Sequence, residues 1–133
     1  MLWLIWICSK YKILSKDKVS CEASFYFIFE TSIGSIDSGF LYACIESVKD
    51  SINNEIFYNG NNVKIGIITY NIGIDFYSFN NKFTQPQMLT FNDEEIFLPI
   101  SRNNLIFNLN SDKNKILQIL DLTLLYIIKR VSL

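Results

Sequence analysis

Residues 63–99 read VKIGIITYNIGIDFYSFNNKFTQPQMLTFNDEEIFLP, and this stretch carries the strongest fold signal in the chain. Its first eight residues are rich in β-branched side chains and are apolar on both alternating faces, which is typical of a central strand covered on both sides. Asn71 and Gly73 suit the positive φ angles of a tight turn, and the segment GIDFYSF that begins at Gly73 favours a second strand. The stretch therefore predicts a hairpin of two antiparallel strands.

The second half of the stretch predicts a connector rather than a buried element. Residues 80–95 (NNKFTQPQMLTFNDEE) place Asn, Pro, Asp and Glu where turns commonly use them, so we expect a surface loop. Residues 95–99 (EIFLP) then predict a short strand that Pro99 ends.

The preceding segments predict a strand followed by a helix. Residues 24–32 (SFYFIFETS) are almost continuously apolar and end in polar residues, as in a buried parallel strand that delivers a loop at its carboxyl end. Apolar side chains then recur at helical spacing, which predicts an amphipathic helix with Ser35 as its N-cap and an end at Asn53 and Asn54. The apolar stripe of this helix comprises Ile36, Phe40, Cys44, Val48 and Ile52, widened by Leu41 and Ile45.

The closing segments predict one further helix. Residues 105–110 (LIFNLN) fit either an edge strand or an extended connector. Ser111 suits the N-cap of a helix that begins at Asp112. The apolar stripe of that helix comprises Ile116, Leu120, Leu124, Ile127 and Val131. Strand, helix, strand, strand, loop, strand and helix together indicate an α/β domain with a partly parallel sheet.

The composition of the chain argues against several classes of function. The 133 residues are enough for one domain, and the net charge is −1 with no long block of Lys or Arg, which argues against nucleic acid as a partner. The chain has no histidine, so catalytic arrangements that need one are excluded within it. Cys8, Cys21 and Cys44 are an odd, widely spaced set, which indicates reduced thiols in a cytosolic protein rather than disulfides or a zinc site.

The apolar start of the chain, MLWLIWIC, leaves three interpretations open. It is too short to span a bilayer, which takes about twenty apolar residues, and it lacks the basic start and cleavage site of a secretory signal. The leading interpretation is a buried or sticky strand or helix. A signal or anchor is the second, and a segment outside the native fold is the third.

Several short motifs resemble one known family. In order and spacing, the run of GIITYN, DFYSF, QPQM and IFLP is similar to the trunk domain of the cargo-adaptor subunits of the COPII inner coat, the Sec23/Sec24 family, and lies nearer the cargo-binding Sec24 type. The matching residues are Gly66, Thr69, Tyr70, Phe76, Tyr77, Gln85, Pro86, Gln87, Met88, Asp93, Phe97, Leu98 and Pro99.

The resemblance implies a fold and a division of the chain. The family's trunk resembles the von Willebrand factor A fold, so we expect a partial trunk domain of α/β class, with a mixed sheet and flanking helices. The match covers residues 24–122, roughly the first half of such a domain. Residues 1–23 are then a divergent N-terminal segment and residues 123–133 a divergent end of the last helix. The zinc-finger, helical and gelsolin-like parts of the full coat subunits have no counterpart here.

Two candidate sites follow. Glu30 and Ser32 occupy the place where metal-binding von Willebrand A domains carry their acidic and hydroxyl ligands, and such oxygen atoms suit a hard divalent cation. The register departs from that pattern, so we prefer no metal at all, with Ser32 and Ser35 satisfying backbone groups at the start of the helix. Gln85, Pro86, Gln87 and Met88 form the second candidate, an exposed and partly apolar surface suited to protein contacts.

The resemblance also implies the function. We expect a non-enzymatic fragment or short relative of a COPII cargo adaptor that acts through protein surfaces in transport from endoplasmic reticulum to Golgi, without a cofactor. The implied partners are a Sec23-type coat subunit and the tails of cargo proteins. The implied location is cytoplasmic, at the periphery of the endoplasmic reticulum membrane through the coat. The alternatives are a metal-dependent von Willebrand A-like adhesion module, using Glu30, Ser32 and a residue near Thr69, and a truncated product with no independent function.

Overall fold

A computed structural model describes residues 2–9, 22–57, 63–79, 83–92 and 101–131. Within this part of the chain there are six strands, three α-helices and one short 3-10 helix at Arg102–Asn104. The elements are β1 (Leu2–Ser9), β2 (Glu22–Glu30), α1 (Ile33–Asp37), α2 (Phe40–Asn53), β3 (Val63–Tyr70), β4 (Ile74–Ser78), β5 (Gln87–Phe91), β6 (Phe107–Asn108) and α3 (Lys113–Val131).

The strands form one mixed sheet in the order β1-β2-β3-β4-β5. Strand β3 is central and pairs in parallel with β2 along its whole length. Its other side is shared by two antiparallel strands, because β4 pairs with the carboxyl half of β3 and β6 with the amino half. The predicted α/β class with a partly parallel sheet is confirmed.

The helices α2 and α3 pack on one face of this sheet. Alternate residues of the strands point toward them, and Leu41, Ile45, Ile116 and Leu120 are buried in the same cluster. The buried strand residues of this cluster are Phe27, Phe29, Val63, Ile65, Ile67, Tyr77 and Phe107. Burial of so much apolar surface is the main source of the stability of the fold.

The opposite face of the sheet is less covered than the sequence predicts. Ile68 and Tyr70 of β3 point to this face and are half-buried, whereas Ile65 and Ile67 on the helix face are buried. The prediction of a strand covered on both sides is therefore wrong for the carboxyl half of β3, within the residues that the structure describes. A uniformly apolar strand does not by itself reveal how much lies above each face.

The predicted helix of residues 35–52 is two helices. Gly39 lies between them with a φ of 72°, in the left-handed region that glycine adopts without strain, and it forms the N-cap of α2. The N-cap of α1 is Ser32 rather than Ser35, since the Ser32 hydroxyl accepts a hydrogen bond from the Ser35 backbone N–H. Phe40, which the prediction placed in the apolar stripe, is the first residue of α2 and is exposed. The buried residues of α2 are Leu41, Ile45, Val48 and Ile52.

The loop predicted over residues 80–95 contains a strand. Residues 87–91 form β5, which pairs with β4 in antiparallel register from Ile74↔Phe91 to Ser78↔Gln87. The turn-forming residues that suggested a loop lie on either side of QMLTF, whereas the strand itself contains Leu, Thr and Phe and is fixed by its pairing. The predicted strand at residues 95–99 lies outside the described residues.

The turn between β3 and β4 needs glycine for a different reason from the one predicted. Neither Asn71 nor Gly73 has a positive φ. A Cβ atom at Gly73 would clash with the Asn92 side-chain oxygen and would lie 2.8 Å from the Phe91 carbonyl oxygen. Close approach of the end of β5, rather than backbone conformation, therefore requires glycine here.

The two ends of the described chain complete the fold. Residues 2–9 form β1, which is antiparallel to β2. This agrees with the interpretation of MLWLIWIC as a strand. Helix α3 begins at Lys113, one residue later than predicted. Its N-cap is Asp112 rather than Ser111, because the Asp112 carbonyl accepts the hydrogen bond from the Ile116 N–H. Within the part of the chain that the structure describes, no helix combines the length and apolarity that crossing a membrane requires. The division at residues 23 and 122 stays a prediction.

Candidate interaction surface

Strands β4 and β5, with residues 83–86 that lead into β5, form what we call the hairpin surface. Their register places Met88 opposite Tyr77 and Thr90 opposite Asp75. Strand β5 ends the strand order on this side, so within the described residues it is the edge of the sheet. An edge strand leaves backbone donors and acceptors available to a second chain.

The four residues predicted as an interaction site do not share one environment. The side chain of Gln85 is exposed, and Pro86 and Gln87 are half-buried. Met88 is half-buried and packs against the hydrophobic core beneath the helices. Gln85 and Gln87 are therefore the members of the set that are best placed to contact another molecule, while Met88 anchors the strand.

The sequence interpretation missed Phe83, which is 54% exposed and lies two residues before Gln85. An exposed phenylalanine beside amide side chains is typical of the centre of a protein interface. Its signal was present in the sequence as the only aromatic residue among the polar residues 80–87.

The face of β4 and β5 that points away from the helices carries a second apolar group. The rings of Phe76 and Phe91 meet edge to face, with centroids 5.7 Å apart. Ile74 and Leu89 lie beside them, opposite Phe91 and Phe76 in the register, and all four are half-buried. The hairpin surface thus presents apolar side chains on this face and amides at its amino end.

The helix side of the same strands carries a polar network. The hydroxyl of Thr69 donates to one Asp75 carboxylate oxygen at 2.9 Å, and the hydroxyl of Thr90 donates to the other at 2.7 Å. Thr69 also lies 3.0 Å from the hydroxyl of Tyr77. Burial raises the pKa of Tyr77 above its ordinary value, against the opposing effect of its hydrogen bonds, so the phenol keeps its proton at neutral pH.

The electrostatics of the surface favour a protein partner over a phosphate. Among the described residues 74–79 and 83–92, Asp75 is the one charged side chain, and both of its oxygens accept hydrogen bonds within the sheet. A surface of amides and apolar groups gains little from a phosphate backbone, whose binding depends on Lys and Arg.

The candidate metal site is organised as a helix start. The Ser32 hydroxyl caps α1 and lies 3.2 Å from the Ser35 hydroxyl. Thr31 bonds back to the carbonyl of Tyr70 through both its N–H and its hydroxyl, which joins this loop to β3. Among the described residues, no group of three Asp, Glu, Cys or His side chains is arranged to hold a metal ion. Thr69, near which the third ligand of that alternative was expected, donates to Asp75.

Comparison with known proteins identifies the family. The Sec23/Sec24 trunk domain matches residues 20–125. The protein transport protein Sec24A of Bos taurus is 34% identical over 97 residues, which are 72% of this chain and 9% of the relative. The protein transport protein SEC24 A of Arabidopsis thaliana is 30% identical over 98 residues, covering 73% of this chain and 9% of the relative. The chain thus spans about one tenth of the length of these relatives.

A solved structure supports the same fold. The human COPII-coat protein Sec24c superposes with a TM-score of 0.58 at 24% sequence identity, over 72% of this chain and 13% of that protein. The shared part has a mixed sheet with helices packed on it, as the resemblance to a von Willebrand A-like trunk implies. From the trunk-domain match over most of its length, we conclude that the chain belongs to the Sec23/Sec24 trunk-domain family.

Proposed function

We propose that this chain is a fragment or short relative of a COPII cargo-adaptor subunit that binds other proteins in transport from the endoplasmic reticulum to the Golgi. The observation that supports this most is the trunk-domain match over residues 20–125, with Sec24-type transport proteins among the relatives. The chain contains no histidine, and the function asks no residue to perform chemistry. We infer that it is not an enzyme.

The hairpin surface is the part of the chain that we assign to partner binding. Phe83 and Gln85 are exposed, and Gln87 follows at the start of the edge strand β5. Apolar contact from the ring and hydrogen bonds from the amides supply complementary interactions without requiring a charged partner. The proposed partner is a coat subunit of the Sec23 type.

Two further roles rest on membership of a coat. The tails of cargo proteins are proposed ligands of the assembled adaptor. The proposed location is the cytoplasmic side of the endoplasmic reticulum membrane, at its periphery through the coat.

Co-purification tests the proposal. The full chain is expressed alone and examined by size-exclusion chromatography, and it is then mixed with a tagged Sec23-type subunit. We expect a soluble species that the partner retains. Aggregation without capture would instead support the alternative of a truncated product with no independent function, because the edge that the described part of the sheet has at β5, together with half-covered apolar surface, promotes association.

A pair of matched variants locates the contact. Gln85→Arg places a charge on the hairpin surface, whereas Gln118→Arg places the same charge on an exposed position of α3. We expect Gln85→Arg to weaken capture about tenfold or more, as is common for a residue near the centre of an interface. Gln118→Arg should retain capture. Equal capture by both variants would exclude the hairpin surface as the contact.

A further inference from the structure

The polar network of Asp75 connects the core of the domain to the edge of the sheet. Thr69, Asp75 and Thr90 are direct neighbours on β3, β4 and β5 in the strand register. Thr69 is 1% exposed, whereas Thr90 is exposed at the edge of the described sheet. One carboxylate therefore holds a buried hydroxyl with one oxygen and an edge hydroxyl with the other.

The direction of each hydrogen bond follows from the number of protons available. A carboxylate oxygen accepts, so the single hydroxyl proton of Thr69 is used in its bond to Asp75. The contact of 3.0 Å between Thr69 and Tyr77 is then a bond that the Tyr77 hydroxyl donates. The Thr90 hydroxyl likewise uses its proton on Asp75. Asp75 is therefore the common acceptor of the Thr69 and Thr90 hydroxyls.

We propose that Asp75 and Thr90 position the hairpin surface for its partner. This inference rests on the proposed function. Strand β5 is five residues long and, within the described residues, pairs with β4 alone. Its other contacts include the packing of Met88 against the core and the edge-to-face contact of Phe91 with Phe76. The hydrogen bond from Thr90 to Asp75 adds a polar connection between β5 and the buried Thr69, and the position of β5 in turn determines where Gln85 and Gln87 lie.

Substitutions at Thr90 separate this role from strand propensity. Valine has nearly the shape of threonine and a high β propensity, but it cannot donate to Asp75. If propensity alone held β5 in place, Thr90→Val would slow amide exchange in residues 87–91. Under the positioning role, exchange there becomes about three- to tenfold faster, as the loss of one charge-assisted hydrogen bond predicts. Thr90→Ser restores the hydroxyl and should restore the wild-type rate.

The experiment measures hydrogen exchange and partner affinity on the same full-length chains. We expect Thr90→Val to speed exchange in β5, to leave exchange in the core strand β3 unchanged, and to weaken binding of the purified Sec23-type subunit about three- to tenfold, with rescue by Thr90→Ser. Asp75→Asn should act in the same direction, because its amide offers one acceptor oxygen where the carboxylate offers two.

The outcomes distinguish this inference from the function on which it rests. If Gln85→Arg weakens binding and Thr90→Val changes neither binding nor exchange, the positioning role is wrong and the proposed function stands. If the purified subunit binds no form of the chain, the proposed function fails and the positioning role for a partner fails with it. Faster exchange in Thr90→Val with unchanged affinity would reduce the network to a local stabilising contact and overturn the inference.

Discussion

The Nζ atom of Lys49 lies 2.7 Å from the Oδ1 atom of Asp121, and this ion pair joins α2 to α3. The Asp121 carboxylate, together with that of Glu46, raises the pKa of Lys49 above its ordinary value. Because Asp121 is more than half exposed, solvent and salt screen the interaction.

We predict that Lys49→Met lowers the free energy of unfolding by about 0.3–1 kcal/mol at low salt. The expected loss becomes smaller at about 1 M NaCl, where the screening length falls to about 3 Å. Urea denaturation at the two salt concentrations measures it. Lys129→Met removes the same charge from an exposed position near the end of α3 and serves as the control. A loss for Lys49→Met that does not depend on salt would mean that the lysine stem packs between the helices and the ion pair contributes nothing.

The α/β plan could be predicted from hydrophobic patterns because β2, β3, α2 and α3 each bury a continuous face. Apolar residues on a buried face recur in the sequence at the period of the strand or helix. Strand β5 could not be predicted in the same way, since its half-buried side chains are flanked by turn-forming residues and its structure depends on pairing with β4. The break at Gly39 was also missed, because a glycine inside a helical pattern does not reveal its φ angle.

The candidate site was predicted only in part for a related reason. The family resemblance and the residue types of QPQM together predict an interaction surface, and the structure places Gln85 on the surface. The bond between Thr90 and Asp75 joins residues fifteen positions apart, and it exists only because the strand register brings them together. A one-residue change of register would move each side chain to the opposite face of the sheet, so sequence alone does not place this contact.

Gly73 provides a second prediction, on the turn that leads into the hairpin surface. Gly73→Ala should lower the free energy of unfolding by about 1–3 kcal/mol, because its Cβ would meet the Phe91 carbonyl and the Asn92 side chain. Thermal denaturation followed by circular dichroism measures the loss. Gly34→Ala is the matched control, since a Cβ there meets nothing within 4 Å and alanine favours the helix α1.

The double variant Gly73→Ala/Asn92→Ala identifies the source of that loss. Removing the Asn92 side chain should recover part of the stability, and the remaining loss is assigned to the fixed backbone of Phe91. Equal stability of Gly73→Ala and Gly34→Ala would show that the end of β5 moves away freely and that the close approach is unimportant.

Tyr77 provides a pH-dependent prediction. Burial raises the pKa of its hydroxyl in the folded chain, while in the unfolded chain it titrates near about 10. The unfolded state therefore loses this proton first as the pH rises. The stability that the neutral phenol contributes is fully present below about pH 10 and is lost as the pH rises toward the higher folded value.

Comparison with Tyr77→Phe isolates this contribution from those of the other tyrosines. At pH 8 we expect Tyr77→Phe to be less stable by about 1 kcal/mol, because the bond to Thr69 is lost. Above about pH 10 the difference should shrink and then reverse, since the variant has no buried phenol to keep protonated. Urea denaturation of both proteins across this range provides the measurement. Parallel curves would show that the Tyr77 hydroxyl titrates alike in the two states.

Ser32 distinguishes a helix cap from a metal ligand. Its hydroxyl accepts from the Ser35 N–H at 3.3 Å, so Ser32→Ala should lower the free energy of unfolding by about 0.5–1 kcal/mol. Ser47→Ala is the control, because its exposed hydroxyl bonds a carbonyl within α2 and alanine is the better helix former. Since the cap uses the Ser32 oxygen, millimolar Mg²⁺ or Ca²⁺ should leave the melting temperature of the wild-type chain unchanged. A melting temperature that rises with either cation in the wild-type chain, but not in Ser32→Ala, would establish a metal site at this loop, because a bound ion stabilises the folded state by mass action.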